Sequence, residues 1–144
     1  MLIGSYIHQF DEKKRFSIPS KWRANLGKKV VVTSGLDKSL FLFSLKEWGK
    51  IAEKISLLSF TNKEVRSFTR FILANASDVE IDSVGRILLT DNLKKFAGIN
   101  TKIVLVGMHN RIELWDENIW EKYSEINDNK ADELAAKLNE IGIL

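Results

Sequence analysis

Two stretches of this chain place an acid, a basic residue and an apolar run at matching intervals: Asp11-Glu12-Lys13-Lys14-Arg15-Phe16-Ser17-Ile18-Pro19 and Asp82-Ser83-Val84-Gly85-Arg86-Ile87-Leu88-Leu89-Thr90. Each reads D-x-x-x-R followed by an extended segment. Lys13, Lys14 and Arg15 set three cations beside one turn, where side chains leave a sheet with little hindrance, an arrangement that suits a nucleic-acid groove or a pair of phosphates. An arginine fork grips guanine or phosphate through two parallel hydrogen bonds, whereas lysine acts as a movable point charge. The competing use of Arg15 and Arg86 is structural: an ion pair with Asp11 and Asp82 that staples each turn.

Catalytic chemistry finds little support. His8 and His109 are solitary, without metal-ligand spacing, and the absence of cysteine removes thiolate ligands and a thiol nucleophile. Neither a phosphate-cradling glycine loop nor a G-x-S-x-G elbow is present. Asp116, Glu117 and Glu121 read as the solvated surface and dipole complement of a helix. No enzyme, cofactor, metal or small-molecule substrate is expected.

The 144 residues are 44% hydrophobic and 28% charged, which places the chain among globular proteins rather than disordered ones. No apolar run reaches the roughly 18 residues of a membrane span, and Met1 to Tyr6 does not open like a secretory signal. A soluble, cytoplasmic protein is expected. The net charge of +3 is modest but unevenly spread. Residues 1–34 carry seven cations against two acids, and the last 34 residues carry four against nine. One surface can thus meet a polyanion while another meets water or a neighbouring subunit; two merely solvated faces are the plainer alternative.

The elements that must hold these turns form an internal repeat. Both charged residues of the motif recur at an offset of 71, and the same offset matches Trp22 with Leu93, Leu26 with Ala97 and Gly27 with Gly98. Each copy then has two β-rich runs, Val30 to Thr33 with Leu40 to Phe43, and Ile103 to Val106 with Arg111 to Trp115, before a helix bearing Trp48 or Trp120. Each copy is expected to run strand, tight turn, strand, short helix, strand, strand. Pro19 and Ser20 suit the opening of the first short helix and Gly27 its close, and Thr90 caps the second, with Asp91 in its first turn. Modules of about 40 residues are too small to bury a core alone, so the copies must pair.

Between the copies, Leu45, Trp48, Ile51, Ala52, Ile55 and Leu58 recur at helical spacing, and Thr61 with Glu64 reads as a capping box before Val65, Phe68 and Ile72. Asp116 starts a further helix, and Ala131, Leu134, Ala135 and Leu138 mark a last amphipathic one, whose stripe fits core or subunit packing. The organisation is therefore a first module over 5–47, a helical connection over 48–75, a second module over 76–119 and a helical segment over 120–144.

These features together resemble the MraZ family over almost the whole chain. The resemblance is carried by Gly4-Ser5-Tyr6, the turn Asp11 to Arg15 with Ser17-Ile18-Pro19, and the second D-x-x-G-R at Asp82 to Arg86. Phe71 to Ala76, Val104 to Gly107 and Ile112 to Asp116 add to it. It implies an α+β fold with a mainly β core, in which two pseudo-symmetric AbrB-like swapped-hairpin modules form a double-psi-type barrel, with a helical hairpin insertion and C-terminal helices. It also implies a ring-shaped homo-oligomer, associated with the nucleoid, that binds short direct repeats in promoter DNA and regulates the division and cell-wall gene cluster encoding it. In that family the paired turns face DNA, which selects Asp11, Lys13 and Arg15, and Asp82 and Arg86.

Within that frame Arg15 and Arg86 are assigned to readout or phosphate clamping and Lys13 and Lys14 to non-specific attraction. Asp11 and Asp82 stabilise the turns, since a carboxylate repels the DNA backbone. Lys21 and Arg23 lie on the short helix, where Trp22 and Leu26 face inward and leave both cations free to reach solvent and DNA. Lys28 and Lys29 read as loop charges, and Lys94 and Lys95 are ambiguous beside Asp91. Two positions depart from the family pattern: Lys14 replaces the usual turn glycine, which would strain a left-handed backbone, and Thr90 replaces a proline. The alternatives are an antitoxin-like or other protein-binding module, and an architectural DNA-binding ring without sequence preference.

Overall fold

The computed structural model describes residues 1–144 and contains eight strands and six helices. The first half runs β1 (Ser5–Gln9), β2 (Arg15–Ser17), α1 (Ser20–Leu26), β3 (Lys29–Ser34) and β4 (Leu40–Ser44). Two helices follow, α2 (Leu45–Ser56) and α3 (Lys63–Leu73). The second half repeats the order as β5 (Ser77–Glu80), β6 (Arg86–Leu88), α4 (Asp91–Phe96), β7 (Lys102–Gly107) and β8 (Ile112–Asp116), and ends in α5 (Glu117–Asp128) and α6 (Ala131–Glu140).

The halves exchange strands. β1 pairs with β7 of the other half, β5 pairs with β3, and β4 meets β8 at the centre, all antiparallel. The six-stranded order β1-β7-β8-β4-β3-β5 therefore reads the same from either end once each strand is replaced by its repeat mate. β2 and β6 form a separate two-stranded ribbon centred on Phe16 opposite Ile87, a pair related by the repeat offset itself. The fold is α+β with a mostly antiparallel sheet.

The main core lies between the ribbon, α1, α4 and one face of the sheet. Phe16, Ile18, Trp22, Ile87, Leu89 and Leu93 pack there against Val30, Val32, Leu40, Leu42, Ile103, Leu105, Ile112 and Leu114. Trp22 is fully buried and meets the Tyr6 ring edge-on at 5.0 Å; truncating such a residue to alanine costs about 3–5 kcal/mol. The opposite face is covered too. α3 accepts hydrogen bonds at the Ile72 and Phe71 carbonyls from the hydroxyls of Thr33 and Ser34, and α5 lays Ile119 and Trp120 over Val104, Val106 and Trp115. Burial on both faces explains why Val30-Val31-Val32-Thr33 shows no polar alternation.

Helix ends largely follow the chemistry of their residues. Gly27 closes α1 with φ +76°, and the Thr90 hydroxyl accepts from the Leu93 N–H at the start of α4. Asp116 caps α5 by accepting from the Asn118 and Ile119 N–H groups. The cap of α3 differs from expectation: the Asn62 side chain, not Thr61, accepts from the Val65 N–H, and the Thr61 hydroxyl pairs with Ser59. Asn is as good a cap as Thr, and the helix simply starts one residue later.

Candidate nucleic-acid interface

Each D-x-x-x-R turn is built around its aspartate. Oδ1 of Asp11 accepts from the backbone N–H groups of Lys13 and Arg15 at 2.8 and 2.9 Å, while Oδ2 accepts from Arg15 Nε at 2.8 Å. Asp82 does the same with Val84, Arg86 and Arg86 Nε, at 3.0, 2.8 and 2.9 Å. The Arg15 N–H holds the Asp11 carboxyl below its ordinary pKa against the opposing effect of desolvation, with the Arg15 side chain adding to it; Arg86 acts likewise on Asp82. Each acid thus accepts three hydrogen bonds from its own turn.

Because β2 and β6 pair, the two turns lie side by side. Arg15 Nη1 stands 3.8 Å from Asp82 Oδ2, and Arg86 Nη1 stands 3.8 Å from Asp11 Oδ2, so the four charges close a reciprocal ring. At that distance the cross pairs are electrostatic rather than hydrogen-bonded. Only Nε of either guanidinium is hydrogen-bonded within the chain, which leaves the terminal nitrogens as donors for a ligand. Stapling and binding are therefore compatible uses of one arginine. Each side chain keeps about a quarter to a third of its surface exposed, at 26% for Arg15 and 32% for Arg86.

The short helices serve the turn of the other half. Ile18 N–H donates to the Gly85 carbonyl and Leu89 N–H faces the Lys14 carbonyl, which brings α1 to the second turn and α4 to the first. Lys14 and Gly85 are repeat mates, and both have positive φ, +60° and +86°. At the first turn the Lys14 side chain reaches Asp91 of α4 at 2.9 Å. At the second, a side chain would have to displace Arg23: a Cβ on Gly85 would sit 2.1 Å from Arg23 Cζ. Arg23, held by a 3.0 Å hydrogen bond from its Nε to the Ile18 carbonyl, fills that space.

The placement of the expected contact residues follows. Lys13 is exposed at the tip of the first turn and pairs with no acid, and Lys14 is exposed but shares its charge with Asp91. Lys21 is exposed, with Nζ 5.2 Å above the Tyr6 ring. Arg23 corrects the expectation that both helix cations are free: it is partly buried against the second turn, because Gly85 opens a slot that fits its guanidinium. Lys29 starts β3 rather than standing in a loop, and pairs with Asp78 at 3.2 Å. One residue left ambiguous by sequence acquires a place. Lys94 is the repeat mate of Arg23 and covers Phe10, 4.4 Å from the ring centroid, beside the first turn. Their shared offset of 71 was the available signal.

No group of three or more His, Cys, Asp or Glu residues could hold a metal ion, and no helix is long and apolar enough to cross a membrane. The interchanged strands and the coupled turns define a class: an internally duplicated α+β protein with a paired, arginine-bearing turn surface. Comparison with known proteins names it. A family model described as "MraZ protein, putative antitoxin-like" matches the chain twice, over residues 1–71 and 72–140. The chain is 43% identical over 143 residues to a protein of Acetivibrio thermocellus and 45% identical over 143 to one of Caldicellulosiruptor bescii, both named transcriptional regulator MraZ. Each alignment covers 99% of this chain and 100% of the relative. This chain belongs to the MraZ family, whose members are transcriptional regulators and not enzymes.

Proposed function

We propose that this protein is a sequence-specific DNA-binding transcriptional regulator that acts in the cytoplasm, associated with the nucleoid, on the division and cell-wall gene cluster. Its modules, over 5–47 and 76–119, are read as halves of one double-psi-type barrel, consistent with the exchanged strands. The observation that carries the reading is the pair of adjacent turns with the terminal nitrogens of Arg15 and Arg86 unengaged by hydrogen bonds. Arg15 and Arg86 supply readout or phosphate clamping. Lys13, Lys14 and Lys21 supply attraction, and Arg23 adds a cation to the second turn.

One protomer offers few phosphate contacts and binds weakly. A ring-shaped homo-oligomer presenting the turns at fixed spacing onto short direct repeats turns weak contacts into avidity. The test is a gel-shift titration with DNA from upstream of the protein's own gene against a scrambled probe at equal, physiological salt. Preference for the natural DNA is the expected result. Equal affinity for both probes points to an architectural ring, and absence of binding rejects the reading.

A further inference from the structure

The two faces of the β2–β6 ribbon meet different surroundings. Phe16 and Ile87 enter the core, so the alternation of a strand puts Arg15, Ser17, Arg86 and Leu88 together on the outer face. Arg15 pairs across the ladder with Leu88, and Ser17 with Arg86. The repeat matches the arginines and aspartates of this surface, but not its other residues. Leu88 is the mate of Ser17, and Val84, at the tip of the second turn, is the mate of Lys13. The Leu89 N–H faces the Lys14 carbonyl and the Ile18 N–H donates to Gly85, which fixes the neighbours at each end. One end therefore has the cationic tip Lys13 with Leu88 beside Arg15, and the other has the tip Val84 with Ser17 beside Arg86. Leu88 is 50% exposed and Val84 58%, so neither aliphatic group is covered by the chain.

A two-stranded ribbon fits the major groove of a DNA duplex, where thymine alone among the bases presents a methyl group. Apolar side chains read that methyl, whereas arginine reads guanine or holds phosphate. Leu88 faces Arg15 across the ladder and Val84 belongs to the turn of Arg86, and both guanidiniums keep terminal nitrogens that take no hydrogen bond within the chain. Whatever covers the aliphatic groups must also accept hydrogen bonds and carry negative charge. An apolar peptide fails the second condition; a thymine beside its phosphate meets both. We infer that Val84 and Leu88 read the 5-methyl groups of two separate thymines, and that this unlike pair fixes the direction in which the surface lies on the duplex. A surface that obeyed the repeat in full would fit a site equally well in either direction. Here reversal exchanges an aliphatic tip for a cationic one and a leucine for a serine, so the two directions differ in affinity. The inference rests on the DNA binding of the proposed function and assigns two of its base contacts.

Deoxyuridine in place of thymine removes the methyl and leaves the base pair intact. Fluorescence anisotropy of the full chain on its upstream DNA, with thymines replaced one position at a time at fixed physiological salt, reads each methyl separately. For the wild type, replacement is expected to weaken binding about fourfold at the two contacted positions, the effect of one buried methyl group, and not elsewhere. Val84→Ala is expected to bind the unmodified DNA more weakly and to become indifferent to deoxyuridine at one of those positions, while keeping the loss at the other. Leu88→Ser shows the converse. Coupling of one side chain to one methyl is what a double-mutant cycle isolates, and circular dichroism melts verify that both variants are folded. A wild type that prefers its upstream DNA to a scrambled probe yet is insensitive to every replacement overturns the inference and leaves the proposed function standing. Sensitivity that persists unchanged in both variants overturns the assignment to these residues. A wild type without preference for the upstream DNA would instead overturn the sequence-specific reading on which the inference rests.

Discussion

Arg15 and Asp82 come from opposite halves of the chain, yet Nη1 of one stands 3.8 Å from Oδ2 of the other. The same spacing joins Arg86 to Asp11, so neither turn has a private electrostatic environment. A ligand that draws one guanidinium forward also alters the field at the opposite carboxylate.

Arg15→Ala is expected to weaken binding to the natural upstream DNA by roughly tenfold or more, the range for losing one good bidentate contact. Arg15→Lys keeps the charge and should recover only part of the loss, since an ammonium cannot reproduce the fork. Gel-shift titration of both variants at matched salt checks this; wild-type affinity in Arg15→Ala would discard Arg15 as a contact.

Lys13 is exposed and pairs with no acid, whereas Lys14 already faces Asp91. Lys13→Ala should lower the slope of log affinity against log salt by about 0.9, the value for one released counterion, and Lys14→Ala by less. Fluorescence anisotropy over a salt series measures both slopes. Equal reductions would show that Asp91 does not hold Lys14 back.

Lys14→Gly is expected to raise stability, because it removes a left-handed non-glycine residue costing about 1–2 kcal/mol, offset in part by greater freedom of the unfolded chain and loss of an exposed ion pair worth at most about 1 kcal/mol. Gly85→Ala should do the opposite, since the new methyl needs both a positive φ and the space held by Arg23. Urea denaturation of the two variants reads the contrast. A neutral Gly85→Ala would mean that Arg23 moves aside at no cost.

Asp11 and Asp82 have folded pKa values below those of the unfolded chain. Their contribution to stability is therefore complete above the unfolded carboxylate value, near about 4, and is lost as pH falls through the lower folded values. His8 adds an earlier limb: burial lowers its pKa, so the folded state favours the neutral ring and stability declines once pH falls below about 6.5. Melting curves across pH should show Asp11→Asn flattening the acid limb and His8→Gln flattening the milder one. Unchanged profiles would remove these groups from the account.

The repeat was legible because an offset of 71 survives in charged, aromatic and glycine positions alike, and the turns, short helices and central strands stood where their residues implied. What the linear chain hides is which half each element serves. Arg23 looks like a neighbour of the first turn, only eight positions beyond Arg15, but strand exchange carries it to Gly85. The cap of α3 was misplaced by one residue because Thr61 and Asn62 offer equivalent oxygens, and the Thr61 hydroxyl pairs with Ser59 instead. The α6 stripe was readable as packing surface, but periodicity alone does not say whose core it enters.

The positions of β1 and β5 at opposite edges of the sheet have a consequence for inheritance as well as for folding. A homodimer of half-length chains would have to place every mutation in both turns at once. A fused chain is released from that rule, so lysine can occupy the place where its twin keeps glycine, and either tip can change while the other keeps its residues.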